Sequence, residues 1–264
     1  MTKIKDSVVW LTGASSGIGE QLAYQLAKKE AKLILSARRM DELKRVKEQC
    51  ESDTVEILTI DLEDSFSLKQ KAKEAETIFG PVDILINNGG ISQRDKIINT
   101  SLDVDRKLME VNYFGSITLT KSLLPTMVKR KKGHHVIVTS TVGIINTPYR
   151  SGYGAAKHAL HGFYDALRAE HHQDNIKVTI VLPGYIKTNI SINALTGDGS
   201  AQNEMDQGQE KGMSPEKCAR LIIKAIEKDK FEIYIGGLKE KAGIYLKRLW
   251  PKAAAMAVRK LKVT

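Results

Sequence analysis

Cysteine is scarce in this sequence: Cys50 and Cys218 are the only two among 264 residues. Two thiols cannot build a disulfide framework, so a reducing compartment is expected. Long apolar runs are missing too. No uninterrupted stretch reaches the roughly 20 residues that a membrane-spanning helix needs. The opening MTKIKDSVVWLTG passes straight into a strand, without the apolar core and cleavage site of a secretion signal. A cytoplasmic protein is therefore expected. Metal-ligand spacing is absent as well. His134–His135 and His171–His172 are neighbours, which do not share a face of a strand or helix. His158 and His161 stand one turn apart without a cysteine or carboxylate partner, so no metal is expected.

Acidic residues are the minority, and the formal net charge is +10. Between Lys239 and Thr264 eight basic residues meet a single acid, Glu240, so most of the excess lies in the last tenth of the chain. The remaining body is nearly balanced, which argues against a nucleic-acid-binding core. The basic run KRKKGHH (129–135) ends a helix, where cations oppose the negative end of the helix dipole. In IYLKRLWPKAAAMAVRKLK (244–262), Leu246, Leu249, Trp250, Ala253, Met256, Ala257 and Leu261 recur at roughly helical intervals with bases between them. Pro251 should break or kink that helix. The segment at 239–264 suits an anionic membrane surface, the body of the protein, or a partner subunit.

Strand and helix signals alternate along the rest. VVWLT (8–12), KLILSA (32–37), VEILTI (55–60), VDILIN (82–87), HVIVTS (135–140), KVTIVL (177–182) and FEIYIG (231–236) are near-continuous apolar runs, the pattern of strands buried on both faces. Helical stretches lie at 17–31, 40–50 and 67–80, and another at 151–170. Strands separated by helices predict a parallel, doubly wound α/β sheet of about seven strands with helices on both faces, as one domain over 1–264. The most loop-like segment is polar and glycine-rich LTGDGSAQNEMDQGQEKGMSP (195–215), and a loop of that length is usually functional or mobile.

Gly13, Gly17 and Gly19 stand between the first strand and the first helix. Glycines there permit a tight turn and let a pyrophosphate approach the backbone, while the helix N-terminus supplies unpaired N–H groups. Ser15 and Ser16 add hydroxyl donors. A glycine triplet by itself is weak evidence; its strand–turn–helix context strengthens it. A fold that holds NAD usually places a carboxylate at the end of the second strand. Ala37, Arg38 and Arg39 stand there instead. Two guanidinium groups suit a 2′-phosphate, which points to NADP(H), although solvated helix-entry arginines are the plain alternative.

These features, with TGASSGIG (12–19), NNGG (87–90), VNYFG (111–115), VTSTVG (138–143), YGAAK (153–157) and PGYIKT (183–188) in this order, resemble the short-chain dehydrogenase/reductase family over residues 7–236. Within it, RSGYGAAKHA and PGYIKTNISINALTGDGS resemble the dehydrogenase/reductase member 7B branch. The resemblance implies a cofactor set of Gly13, Ser15, Ser16, Gly17, Ile18, Gly19, Arg38, Arg39, Asp61, Leu62, Asn88, Gly89, Gly90, Tyr153, Lys157, Pro183, Gly184, Ile186 and Thr188. It implies a catalytic set of Asn112, Ser140, Tyr153 and Lys157, with Ser140 and Tyr153 also meeting the substrate. The family usually has alanine where Gly89 stands, and some NADP-using relatives have a basic residue where Ser16 stands. The family also implies a homodimer or homotetramer.

The residue chemistry agrees with these roles. Hydride transfer to a carbonyl leaves negative charge on oxygen, which needs a proton and hydrogen-bond donors. Tyr153 and Lys157 are four apart and share a helix face, so the ammonium is expected to lower the phenol pKa. Ser140, at a strand end, offers a hydroxyl. By resemblance, Asn112, in an otherwise helical stretch, holds a water linking Lys157 to solvent. Taken singly, each has a bland reading as a surface pair, a turn cap or a polar helix residue. Together behind a dinucleotide turn they predict an NADP(H)-dependent oxidoreductase interconverting a carbonyl and an alcohol. An apolar or lipid-like substrate is expected under a closing loop at 189–214. The rivals are a catalytically idle nucleotide-binding scaffold at membranes and a nucleotide-sugar epimerase. The intact catalytic set argues against the first. The lack of a larger C-terminal substrate domain argues against the second.

Overall fold

Residues 1–259 are described by a computed structural model. Lys260, Leu261 and Lys262, part of the amphipathic segment above, lie outside them. The apolar runs form β1 (Val8–Thr12), β2 (Lys32–Ser36), β3 (Val55–Ile57), β4 (Ile84–Asn87), β5 (Gly133–Val138), β6 (Ile176–Pro183) and β7 (Glu232–Ile235). All pair in parallel, in the order β3–β2–β1–β4–β5–β6–β7. The connections carry α1 (Gly17–Ala27), α2 (Met40–Gln49), α3 (Ser65–Ile78), α4 (Leu102–Met109), α5 (Gly115–Arg130), α6 (Ser151–Glu170), α7 (Gln207–Glu210) and α8 (Pro215–Glu227). After β7 come α9 (Leu238–Leu249) and α10 (Pro251–Val258).

Side-chain alternation along β1 explains both cores. Val9 and Leu11 pack with Leu22 and Leu26 of α1 and Ile222 and Ile226 of α8. Val8 and Trp10 point the other way, to Leu68 of α3 and Leu119 and Leu123 of α5. Trp10 is wholly buried, and its indole N–H donates to Ser36 Oγ at 2.8 Å. Strand order reverses between β1 and β4, so a crevice opens beyond their carboxyl ends, where doubly wound sheets bind ligands.

Several boundaries differ from expectation. α1 stops at Ala27 rather than 31, because the chain turns through Glu30 at φ +58°. β3 ends at Ile57, although Leu58 N and Ile60 N still donate to Leu35 O and Ala37 O. The stretch around Asn112 is not plain α-helix: Glu110–Phe114 forms a π-helical turn between α4 and α5. The segment 195–215 contains α7 and is tied down, with Arg94 N donating to Leu195 O, Leu195 N to Ser92 O and Ser101 N to Gly197 O.

The basic C-terminal segment packs partly on the body. Ile244 and Ala254 are buried, and Arg248 pairs with Glu232 of β7. At the break Trp250 leaves helical geometry and Pro251 starts α10. Among the described residues no helix is long and apolar enough to cross a membrane.

Candidate functional site

The turn after β1 is built for close approach. Gly13 and Gly17 have φ of +65° and +58°. A Cβ on Gly13 would lie 2.7 Å from Gly89 Cα, and one on Gly19 would lie 2.0 Å from Gly13 O. Asn88 braces this turn: its Nδ2 donates to Thr12 O and Gly13 O at 3.1 and 3.2 Å. Thr12 Oγ1 accepts from Asn88 N and Gly89 N, each at 3.0 Å. Ser16, at the N-terminal cap of α1, makes no side-chain capping bond, so the first-turn N–H groups face the crevice without a side-chain acceptor. Such a cradle fits a pyrophosphate. Leu62 Cδ1 lies 2.7 Å from where a Cβ on Gly89 would sit, so leucine occupies the space of the family's alanine.

A cleft of about 930 Å³ runs from this turn across the carboxyl ends of the strands. All the expected cofactor and catalytic residues line it except Gly19, which is buried behind Gly13 O. Arg38 and Arg39 are exposed at one end. Asp61 lies near them, its Oδ1 accepting from Glu63 N. Pro183, Gly184, Ile186 and Thr188 line the cleft beyond β6, and Thr188 Cγ2 sits 2.9 Å from where a Cβ on Gly17 would be.

Ser140, Tyr153, Lys157 and Asn112 meet in the middle. Helix α6 carries Tyr153 and Lys157 on its inner face, both under a tenth exposed. Lys157 Nζ donates to Val138 O at 3.0 Å and lies 5.7 Å from the Tyr153 ring centroid. Burial lowers the Lys157 pKa to about 8. Burial pushes the Tyr153 phenol above its ordinary value, while Ser140, Arg94 and Arg150 pull it down. The lowering expected from Lys157 is not found: the ammonium is turned to Val138 O, and the opposing pulls of Ser140, Arg94 and Arg150 leave the phenol above its ordinary value. Ser140 Oγ lies two residues beyond β5, donating to Pro183 O at 3.4 Å and accepting from Val142 N at 3.3 Å.

Asn112 is wholly buried in the π-helical turn. Its Nδ2 donates to Ile91 O and Leu108 O at 3.0 and 2.9 Å, and its Oδ1 accepts from Ile91 N at 3.2 Å. The amide therefore takes up the carbonyl four residues back that a regular α-helix would bond through its backbone. A Cβ on Gly90 would meet Asn112 Oδ1 at 2.5 Å and Lys157 Nζ at 3.5 Å, so glycine is needed for both to reach the cleft.

Helix α6 opens on two glycines for steric reasons. A Cβ on Gly152 would lie 2.3 Å from Asp105 Oδ1, and one on Gly154 would lie 2.3 Å from the Asn146 side chain. Gln93 Oε1 caps the helix start, accepting from Gly152 N at 2.9 Å and Tyr153 N at 3.4 Å.

Sequence reasoning passed over Gln93, Arg94, Arg150 and Asp206. Arg94 Nε and Nη2 donate to Asp206 Oδ2 at 2.9 and 2.7 Å, and Arg150 Nη2 donates to the same oxygen at 3.0 Å. All three residues are buried. Burial raises the Asp206 carboxyl, but the arginines outweigh it and hold it below the ordinary value. Burial lowers the Arg150 pKa, and Arg94 adds to that. The available signals were an arginine four residues after the NNGG segment and another right before SGYGAAK.

Comparison with known proteins follows the same lines. A family model described as short chain dehydrogenase matches residues 7–198. A dehydrogenase/reductase SDR family protein 7-like of Anopheles gambiae is 44% identical, over 94% of this chain and 80% of that protein. The dehydrogenase/reductase SDR family member 7B of Mus musculus is 41% identical, over 94% and 79%. A short-chain dehydrogenase structure from Streptomyces avermitilis superposes with a TM-score of 0.83 at 29% identity, over 97% of this chain and 96% of that one. A Burkholderia phymatum short chain dehydrogenase/reductase solved in complex with NAD superposes with a TM-score of 0.82 at 20% identity, over 97% of each chain, and shows the shared fold. The chain belongs to the short-chain dehydrogenase/reductase family, and it is an oxidoreductase of that family.

Proposed function

We propose that the chain interconverts a carbonyl and an alcohol using NADP(H), with Tyr153 as the acid in reduction and the base in oxidation. The observation that carries this reading is the meeting of Ser140, Tyr153 and Lys157 at the middle of the cleft that begins at the glycine turn. Gly13, Ser15, Ser16, Gly17 and the α1 N-terminus would hold the pyrophosphate. Arg38 and Arg39 would take the 2′-phosphate, supported by the want of a carboxylate at the end of β2. The cofactor supplies or accepts the hydride. Tyr153, its phenol held protonated at neutral pH by burial, gives its proton to the carbonyl oxygen. The Ser140 hydroxyl donates to the same oxygen and stabilises the charge that develops there. Lys157 remains charged below pH about 8 and presents a cation beside the phenol. Asn112 spends both amide N–H groups on Ile91 and Leu108, so a relay water would bond its oxygens.

An apolar or lipid-like substrate is supported by Ile91, Val142, Ile145 and Ile190 along the cleft. The exposed Leu238, Leu249, Trp250 and Met256 of α9 and α10, set among lysines and arginines, support peripheral contact with an anionic membrane from the cytoplasmic side. Exposed Phe114, at the start of α5, supports a homo-oligomer built through the helices around Asn112 and Tyr153.

The test is NADPH oxidation across steroid, acyl-lipid, quinone and sugar carbonyls, with Tyr153→Phe as the blank. Reduction of one class only by the parent protein is expected. In the double variant Arg38→Ser/Arg39→Ser, the KM for NADPH should rise much more than that for NADH. Equal effects on both cofactors would remove the NADP(H) assignment.

A further inference from the structure

Arg94, Arg150 and Asp206 form a buried cluster at the cleft. Both arginines line the cleft and both act on Tyr153 electrostatically. Arg150 is the residue that leads into α6, three positions before Tyr153. The cluster holds two cations and one anion, which leaves one positive charge unmatched where Arg94, Arg150 and Asp206 are each less than a tenth exposed. A buried unmatched charge is costly unless something pairs with it.

The protein partners of the two guanidinium groups differ, and the difference points to Arg150. A guanidinium has five N–H donors. Arg94 uses Nε and Nη2 on Asp206, and Nη1 on Ser92 Oγ at 2.7 Å and Gln93 O at 2.5 Å. Arg150 uses only Nη1, on Thr147 Oγ1 at 3.1 Å, and Nη2, on Asp206 Oδ2 at 3.0 Å. Asp206 comes from the 189–214 segment, so a simple latch for that segment would account for Arg94. It leaves Arg150 with most of its donors unspent among the described residues, inside the cleft.

We infer that Arg150, held by Asp206 and backed by Arg94, seats a carboxylate of the substrate, so that the substrate class is an oxo acid and its hydroxy acid. The inference rests on the oxidoreductase reading above and names the substrate for that same site. A carboxylate matches the single unmatched charge and the planar fork of a guanidinium. A phosphate monoester, carrying about −1.5 to −2 at pH 7, would bring surplus charge against Asp206. With the acid end fixed at Arg150, the carbonyl carbon takes a hydride from the reduced cofactor and the oxygen takes the Tyr153 proton. The hydroxy acid and oxidised cofactor result. The apolar walls named above would receive the alkyl part.

The experiment compares kcat/KM of the parent protein for 2-, 4- and 5-oxooctanoate with their methyl esters and 2-octanone. At least one acid should exceed its ester by about 10- to 100-fold, the range a charge-assisted hydrogen-bonded contact supports. Arg150→Gln should collapse that ratio toward one, and Arg150→Lys should restore part of it. A binding arm needs no turnover: in the NADP-loaded protein, octanoate should raise the melting temperature more than octanamide or octyl phosphate, and Arg150→Gln should abolish the difference. Equal use of acid and ester, or greater stabilisation by octyl phosphate, overturns the carboxylate assignment. Reduction of the esters and 2-octanone without the acids does so while leaving the oxidoreductase reading intact. Octanoate stabilisation that depends on Arg150, with no carbonyl of any kind reduced, sustains the carboxylate seat and sinks the carbonyl-reduction reading.

Discussion

Gly154 shows at single-residue scale how closely Tyr153 is supported. Glycine inside a helix costs about 1 kcal/mol relative to alanine, yet the Asn146 side chain lies where a Cβ would be. Gly154→Ala should destabilise the protein by about 1–3 kcal/mol, the usual cost of overpacking, despite its better helix propensity. Thermal melting checks this, and an unchanged or higher melting temperature contradicts it. Lys157 makes a pH prediction. Burial lowers its pKa to about 8, so it is protonated below that and neutral above it, while the Tyr153 phenol stays protonated. Reduction should therefore weaken as pH rises through about 8, seen as a falling limb in kcat/KM against pH; a flat profile from 7 to 9 would contradict it. Tyr153 and Lys157 stood out in the sequence because YGAAK, with the pair one turn apart, came in an ordered set of motifs, although the expected pull of the ammonium on the phenol is absent. The arginine cluster was not, because Arg94 and Asp206 are 112 positions apart and meet only after folding.

At the scale of elements, apolar runs predicted all seven strands and their parallel pairing, since burial on both faces leaves a strong imprint. The ends were less legible, because a positive-φ residue such as Glu30 stops a helix without changing its apolar spacing. The π-helical turn at Asn112 was also invisible to periodicity: a one-residue slip leaves the local pattern almost unchanged. The C-terminal helices were half legible. Pro251 marked their break, but which face packs on the body depends on Ile244 and on Arg248 meeting Glu232. Since Glu240 and Gly243 of α9 also line the cleft, removing the segment would damage the site. Leu249→Glu/Trp250→Glu is the cleaner test, because both side chains are exposed. It should abolish salt-sensitive binding to phosphatidylserine vesicles and leave the melting temperature near that of the parent. Undiminished vesicle binding would exclude this face.

Over the whole molecule, the sheet brings the glycine turn, the β5 end and α6 to one rim, and it sets stability against pH through two central histidines. His134 and His135 of β5 are buried; His135 has no hydrogen-bond partner at either ring nitrogen. Burial lowers their pKa values to about 4 and about 3. An unfolded chain binds these protons from about pH 6.5 downward, before the native state does. The stabilisation from neutral burial is complete above that pH and is lost as pH falls toward 4 and then 3. Each histidine contributes a slope of up to about 1.4 kcal/mol per pH unit within its window. Urea denaturation at pH 7, 6 and 5 should show this decline, and His135→Phe should make it shallower; an equal slope in the variant would contradict the assignment.

Carbonyl chemistry at Tyr153 is the central claim, and Tyr153→Phe tests it most directly when cofactor binding and turnover are measured on the same preparation. NADPH affinity should stay within about threefold of the parent, since the phenol oxygen is not needed for the cradle, while kcat for a carbonyl compound that the parent reduces should fall by about 10²- to 10⁴-fold. Turnover retained within an order of magnitude, with NADPH still bound, would contradict the account.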